Sequence, residues 1–172
     1  VVYECLYFLK IKPNFKQAYR VAVLCQEMLD SIPGVTSESR CKVILGCYNG
    51  GFLLKKPMRD SVVGYLEGYG HGIQAGYTEW AFIGTLCYGW AFFAAGYPMT
   101  AVTEARFANY EEDCRRFRQP PSVSVIFSIF RQCCLGLQGR GSSGSGSSSN
   151  TNNPCVFDGK SMTEAGALAN FD

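Results

Sequence analysis

The sequence predicts an all-α fold: antiparallel helical hairpins stacked as a fragment of a solenoid. Two observations carry this expectation. Apolar residues recur at three- and four-residue steps through most of the chain, the spacing of one face of an α-helix. In addition, Pro57-Met58 and Pro98-Met99 stand 98 − 57 = 41 residues apart, and the same offset relates Leu66 to Phe107 and Tyr69 to Tyr110. Internal periods of about 30 to 50 residues mark stacked helical hairpins, none of which can bury its apolar face alone.

The elements follow in order. Val1 to Ile11 reads as the tail of a preceding helix, with Tyr3, Leu6, Tyr7 and Ile11 on one face. After Pro13, Asn14 can cap a helix with Ala18, Val21, Ala22, Cys25, Met28, Leu29 and Ile32 on its apolar face, ended by Pro33-Gly34. Thr36 or Ser37 starts the next helix, through Val43, Ile44, Cys47, Tyr48, Gly51 and Phe52, and Pro57 is expected to stop it. Its partner runs through Val62, Val63, Leu66, Tyr69 and Ile73, with Gly76 placed for a left-handed helix end. A third pair comprises a helix from about Thr78 to Ala95, the turn Gly96-Tyr97-Pro98, and a helix through Val102, Phe107, Tyr110, Cys114 and Phe117. Pro120-Pro121 opens a further helix with Val125, Ile126, Ile129, Phe130, Cys133 and Leu137. The predicted organisation is a helical array over residues 1–138, a Gly/Ser/Asn linker or insertion over 139–153, and a crossing leading into a last helix over 154–172. In that last segment Ser161 and Glu164 have the spacing of a capping box.

Composition narrows the function classes. With 172 residues, 47% hydrophobic and 17% charged, the chain belongs to the globular class. It opens at Val1 and stops inside a predicted helix, so a piece of a larger protein is expected. A net charge of +2 supplies no strong field for nucleic acid. Arg115, Arg116 and Arg118 close a predicted helix one turn after Glu111, Glu112 and Asp113, which is the placement of a solvated helix end. The nine cysteines, Cys5, Cys25, Cys41, Cys47, Cys87, Cys114, Cys133, Cys134 and Cys155, include no C-x-x-C pair. Several fall on apolar faces, as reduced thiols of a cytosolic helix core would. No signal peptide and no N-x-S/T acceptor is visible.

Four features of the sequence bear on a site. Gly139-Arg140-Gly141-Ser142-Ser143-Gly144 matches G-x-G-x-x-G, but a helix is predicted before it where a dinucleotide turn needs a strand. No phosphate-loop run occurs. His71, the only histidine, has Glu67 and Ala75 as helical neighbours and no converging nucleophile or ligand. Gly68, Gly70 and Gly72 around it fit a close approach of two helices. Trp80 to Thr103 lacks charged residues and is long enough for a membrane span, although Gly96 and Pro98 cut it short. The preferred reading makes Trp80 to Ala95 a central helix, apolar all round, in which Trp90→Ala costs about 3 to 5 kcal/mol. No catalytic, cofactor-binding or metal-ligating residue is assigned.

The run Leu66-Glu67-Gly68-Tyr69-Gly70-His71-Gly72-Ile73-Gln74-Ala75-Gly76-Tyr77-Thr78-Glu79-Trp80-Ala81 resembles the hairpin junction in the tetratricopeptide-like repeats of very large predicted-ATPase signalling proteins. The similarity continues through Phe92 to Gly96, Glu104, Tyr110 and Arg131 to Leu137, and resumes at Asn153-Pro154-Cys155 and Gly159. It covers most of the chain. In that family a kinase-like domain and a STAND-type AAA ATPase precede the repeats, and histidine-kinase or nucleotide-cyclase domains follow in some members. The family pattern at the junction is Gly-Asp-x-Glu; here Tyr77 replaces the acidic cap, leaving Thr78 to cap instead, and the Gly/Ser insertion is a second departure. The resemblance implies a non-catalytic, cytoplasmic scaffold that offers a surface to a protein partner or a neighbouring domain and couples the ATPase to its outputs, without a cofactor of its own. A freestanding interaction module and a membrane-embedded helical protein are the alternatives.

Overall fold

A computed structural model describes residue 11 and residues 13–140; the expectations for Val1 to Lys10, for most of the linker and for the last helix lie outside them. Six α-helices and a 3₁₀ turn make up the described residues, with no strand among them: α1 (Phe15–Ser31), α2 (Ser37–Asn49), the turn Phe52–Leu54, α3 (Met58–Gln74), α4 (Thr78–Ala94), α5 (Ala101–Arg116) and α6 (Pro121–Leu137). The chain is all-α, and α1 packs on α2, α2 on α3, α3 on α4 and α5 on α6. It forms two units, Val1–Tyr97, which holds α1 to α4, and Pro98–Asp172, which holds α5 and α6.

Local chemistry sets the helix starts. Asn14 Oδ1 accepts from the Gln17 amide at 3.1 Å, Thr36 Oγ1 from Ser39 at 3.2 Å, and Thr100 Oγ1 from Thr103 at 3.3 Å. Each satisfies an amide that the first helical turn leaves without a carbonyl. Pro57 and Pro120 precede α3 and α6 with extended backbones. Tyr77, not Thr78, occupies the N-cap of α4 and makes no side-chain cap bond; its ring stacks on Trp80 instead.

In the first unit the helices approach through small residues. Residues 48, 45 and 41 of α2 meet Gly64, Gly68 and Gly72 of α3 in antiparallel order, and Ala81 of α4 lies against Gly72 from the other side. Gly84 of α4 in turn receives Leu45 and lies beside the Tyr65 carbonyl. Close approach therefore explains Gly68 and Gly72, as expected, whereas Gly70 points into open space. The core combines Cys41, Ile44, Leu45, Tyr65, Ala81, Phe82 and Tyr88, all buried.

Pro57 does not stop α2. The helix ends at Asn49, because Gly50-Gly51 breaks it and Gly51 lies so close to Ala18 and Ala22 of α1 that no side chain fits. The 3₁₀ turn then drives Phe52 between the Tyr19 and Tyr48 rings, edge-on to both at 5.9 and 5.1 Å, with Lys56 Nζ 3.8 Å above its face. Consequently the Pro57 and Pro98 turns are not equivalent. One follows a 3₁₀ turn and leads directly into α3; the other follows a glycine stop and leads through Thr100 into α5.

The expected burial of α4 on all sides is also corrected. Ala81, Phe82, Thr85, Tyr88, Ala91 and Phe92 face inward, but Trp90 is 65% exposed and Ile83 is exposed beside it. The helix is nearly uniform in hydropathy, so its sequence carries no directional signal, and the glycines and alanines decide which face packs.

In the second unit Phe107 and Tyr110 of α5 meet Phe130 and Phe127 of α6 at ring distances of 5.2 and 5.6 Å. This aromatic pairing sets the buried face of α6: Val125 and Phe130 are buried as expected, joined by Phe127 and Cys134, whereas Ile126, Ile129 and Cys133 of the expected face are half-buried and Leu137 is exposed. Val102, expected on the apolar face of α5, is exposed as well.

Candidate functional site

The chemistry-bearing residues are dispersed by the fold. His71 sits near the end of α3, with Nε2 4.0 Å from Glu67 Oε1 one helical turn away, at a part-exposed position. Ser61 Oγ is fully buried and has no hydrogen-bond partner among the described residues, so no general base is in place to activate it. Cys25, Cys41, Cys47, Cys87, Cys114, Cys133 and Cys134 are thiols. Burial pushes Cys41 up to about 11, Cys114 up to about 12 and Cys134 up to about 11, and it raises Cys87 and Cys133 too. Such thiols stay protonated near neutrality, the reverse of a catalytic cysteine. No group of three or more His, Cys, Asp or Glu side chains could hold a metal ion among the described residues.

The G-x-G-x-x-G run begins at Gly139, which takes φ +69° just beyond α6; its amide bonds the Gly136 carbonyl, and the Arg140 amide bonds that of Leu135. Its first glycine therefore closes a helix, and the rest of the run lies outside the described residues. At the end of α5, Arg115 pairs with Glu111 and Glu112, while Arg116 lies over the Phe117 ring at 5.7 Å. That is the solvated helix end read from the sequence.

The sequence reading missed a carboxylate clamp. Arg131 of α6 reaches Glu104 at 3.0 Å and Glu111 at 2.7 Å on α5, all three largely shielded. Burial opposes the arginine's charge, but the two carboxylates outweigh it and raise its pKa. The spacing of Glu104 and Glu111, seven residues apart on one helix face, was the available signal. Glu104 is committed to this guanidinium and Glu111 is shared between it and Arg115, so the cluster joins two helices and leaves no acid–base pair for chemistry.

What the first unit does offer is surface. Along α4, Ile83, Leu86, Trp90 and Phe93 stand at three- and four-residue steps, so they share one face, of which Ile83 and Trp90 are exposed and Leu86 and Phe93 half-buried. No helix of the described residues is long and apolar enough to cross a membrane; α4 ends at Ala94, and the Gly96 turn follows. No family model matches the chain, and neither a curated protein nor a solved structure does.

Proposed function

We propose that this chain is a non-catalytic helical-repeat scaffold that presents the Ile83–Trp90 face of α4 to a protein partner. The observation that carries this reading is Trp90, a large aromatic side chain 65% exposed on a packed helix. Tryptophan is enriched at binding hot spots because it supplies much contact area for little rotamer entropy. The resemblance of the α3–α4 junction to tetratricopeptide-like repeats supports a wider setting: a cytosolic regulatory segment of a multidomain signalling ATPase or kinase, coupling the ATPase to its output domains. The same face would serve a freestanding interaction module, and a phosphate loop encoded upstream separates the two settings.

A photocrosslinker at position 90, compared with one at the exposed Glu112 of α5, tests the reading in the cell of origin. Protein adducts specific to position 90 are expected, together with melting of Trp90→Ala within about 1 kcal/mol of the parent, as for a surface change. Equal adducts from both positions, or none from position 90, would remove the proposal.

A further inference from the structure

Ile83, Leu86, Trp90 and Phe93 of α4 follow one another at steps of three, four and three residues, the heptad spacing of a seam that receives one further helix. A charge closes each end of this seam. Glu79, exposed, precedes Ile83 by four residues and so continues the same heptad positions. At the other end Arg59, also exposed, donates from Nε to the Ala95 carbonyl at 3.5 Å and holds its guanidinium 5.4 Å above the Tyr97 ring, which fixes it at the level of residues 95 to 97. Neither side chain is in an ion pair among the described residues. An apolar seam with an anion at one end and a cation at the other is complementary to itself run backwards.

Seam and charges share one centre. Residue 88 lies halfway between 83 and 93 and halfway between 86 and 90, and the midpoint of Glu79 and the level of Arg59 falls at 87 to 88. In an antiparallel pair of copies about a two-fold axis at that point every contact occurs twice. Ile83 of each copy meets Phe93 of the other, Leu86 meets Trp90, and Glu79 reaches Arg59. A parallel pair would instead oppose Glu79 to Glu79 and Trp90 to Trp90. We propose that the partner of the α4 face is a second copy of the chain, bound antiparallel about residue 88. The inference rests on the reading of that face as a docking surface and adds what docks there.

Sedimentation equilibrium of the full chain decides it, with far-ultraviolet circular dichroism as the check that each variant is folded. The expected result is a concentration-dependent dimer that Trp90→Ala shifts to monomer. Glu79→Arg should weaken the dimer about tenfold or more, since symmetry creates two like-charge contacts at once, and adding Arg59→Glu should restore it. A photocrosslinker at position 90 should join two copies through residues 83–93. A chain monomeric at every concentration overturns the proposal; if position 90 then captures a different protein, the docking reading of α4 stands without it, and if position 90 captures nothing, both fall. A dimer indifferent to Trp90→Ala or to Glu79→Arg, or one that the folded double exchange does not rescue, overturns the proposal equally.

Discussion

Arg118 holds φ at 52°, the left-handed backbone that its counterparts Gly76, Gly96 and Gly139 adopt after three other helices. All four positions close the same motif, in which the next residue's amide reaches back to the helix: Tyr77 to Gly72, Tyr97 to Phe92, Gln119 to Cys114 and Arg140 to Leu135. A side chain at such a position costs about 1 kcal/mol or more, so Arg118→Gly should stabilise the second unit by about 1 kcal/mol, read as a higher denaturant midpoint. The glycine stops were legible in the sequence, as were the Asn14 and Thr36 caps, because each is a local choice of one residue type. Arg118 was not, since its conformation is imposed by the motif rather than preferred by the residue. Buried thiols set a second expectation at this scale. Their folded-state pKa values lie above those of the unfolded chain, so their stabilisation is complete below the unfolded value of about 8.5 and is lost as pH rises toward the folded values near 11. Denaturation midpoints should fall through that alkaline window, and more shallowly in a Cys41→Ala variant.

At the scale of the element, α3 separates two kinds of glycine within one turn. A methyl at Gly72 would stand 2.7 Å from Ala81 Cβ and 3.1 Å from Ala81 Cα, with Cys41 Sγ at 3.0 Å behind it. Backbone must move to admit it, and Gly72→Ala should cost about 1 to 3 kcal/mol. Gly70 has nothing within reach, and Gly70→Ala should gain about 0.5 to 1 kcal/mol of helix propensity. Paired urea titrations test both, and equal effects would mean that the α2–α3–α4 contact is looser than described. Helix existence was legible from periodicity, and so was the role of Gly72. The end of α2 was not, because Gly50-Gly51 stops the helix through its fit against α1, a contact far away in sequence. The face of α4 was hidden for the opposite reason: with apolar residues on every side, only packing partners choose which of them points inward.

For the whole molecule the division at Tyr97 has a direct consequence. The first unit owns a complete core, from Ala18 and Ala22 through Leu45 to Tyr88, and closes on itself where Tyr97 stacks on Phe92 at 4.6 Å beneath Arg59. Residues 1–97 expressed alone should therefore unfold cooperatively; a non-cooperative melt would tie this core to the remainder of the chain. The 41-residue offset read from the sequence survives as a likeness of side chains rather than of turns, and it gives no hint of this boundary. No candidate for chemistry emerged from the sequence, and among the described residues no three or more His, Cys, Asp or Glu side chains gather as a metal site would need; the exposed faces of α1 and α4 became visible only once burial was known. The thiols are distributed through every described helix except α3, with Cys25, Cys41, Cys47, Cys114 and Cys134 buried and Cys87 and Cys133 half-buried. Alkylation of the buried ones at fixed pH would then proceed only when a given helix opens, so the rates at Cys25, Cys47, Cys114 and Cys134 amount to a built-in set of clocks, each timing how often its own stretch of the protein breathes.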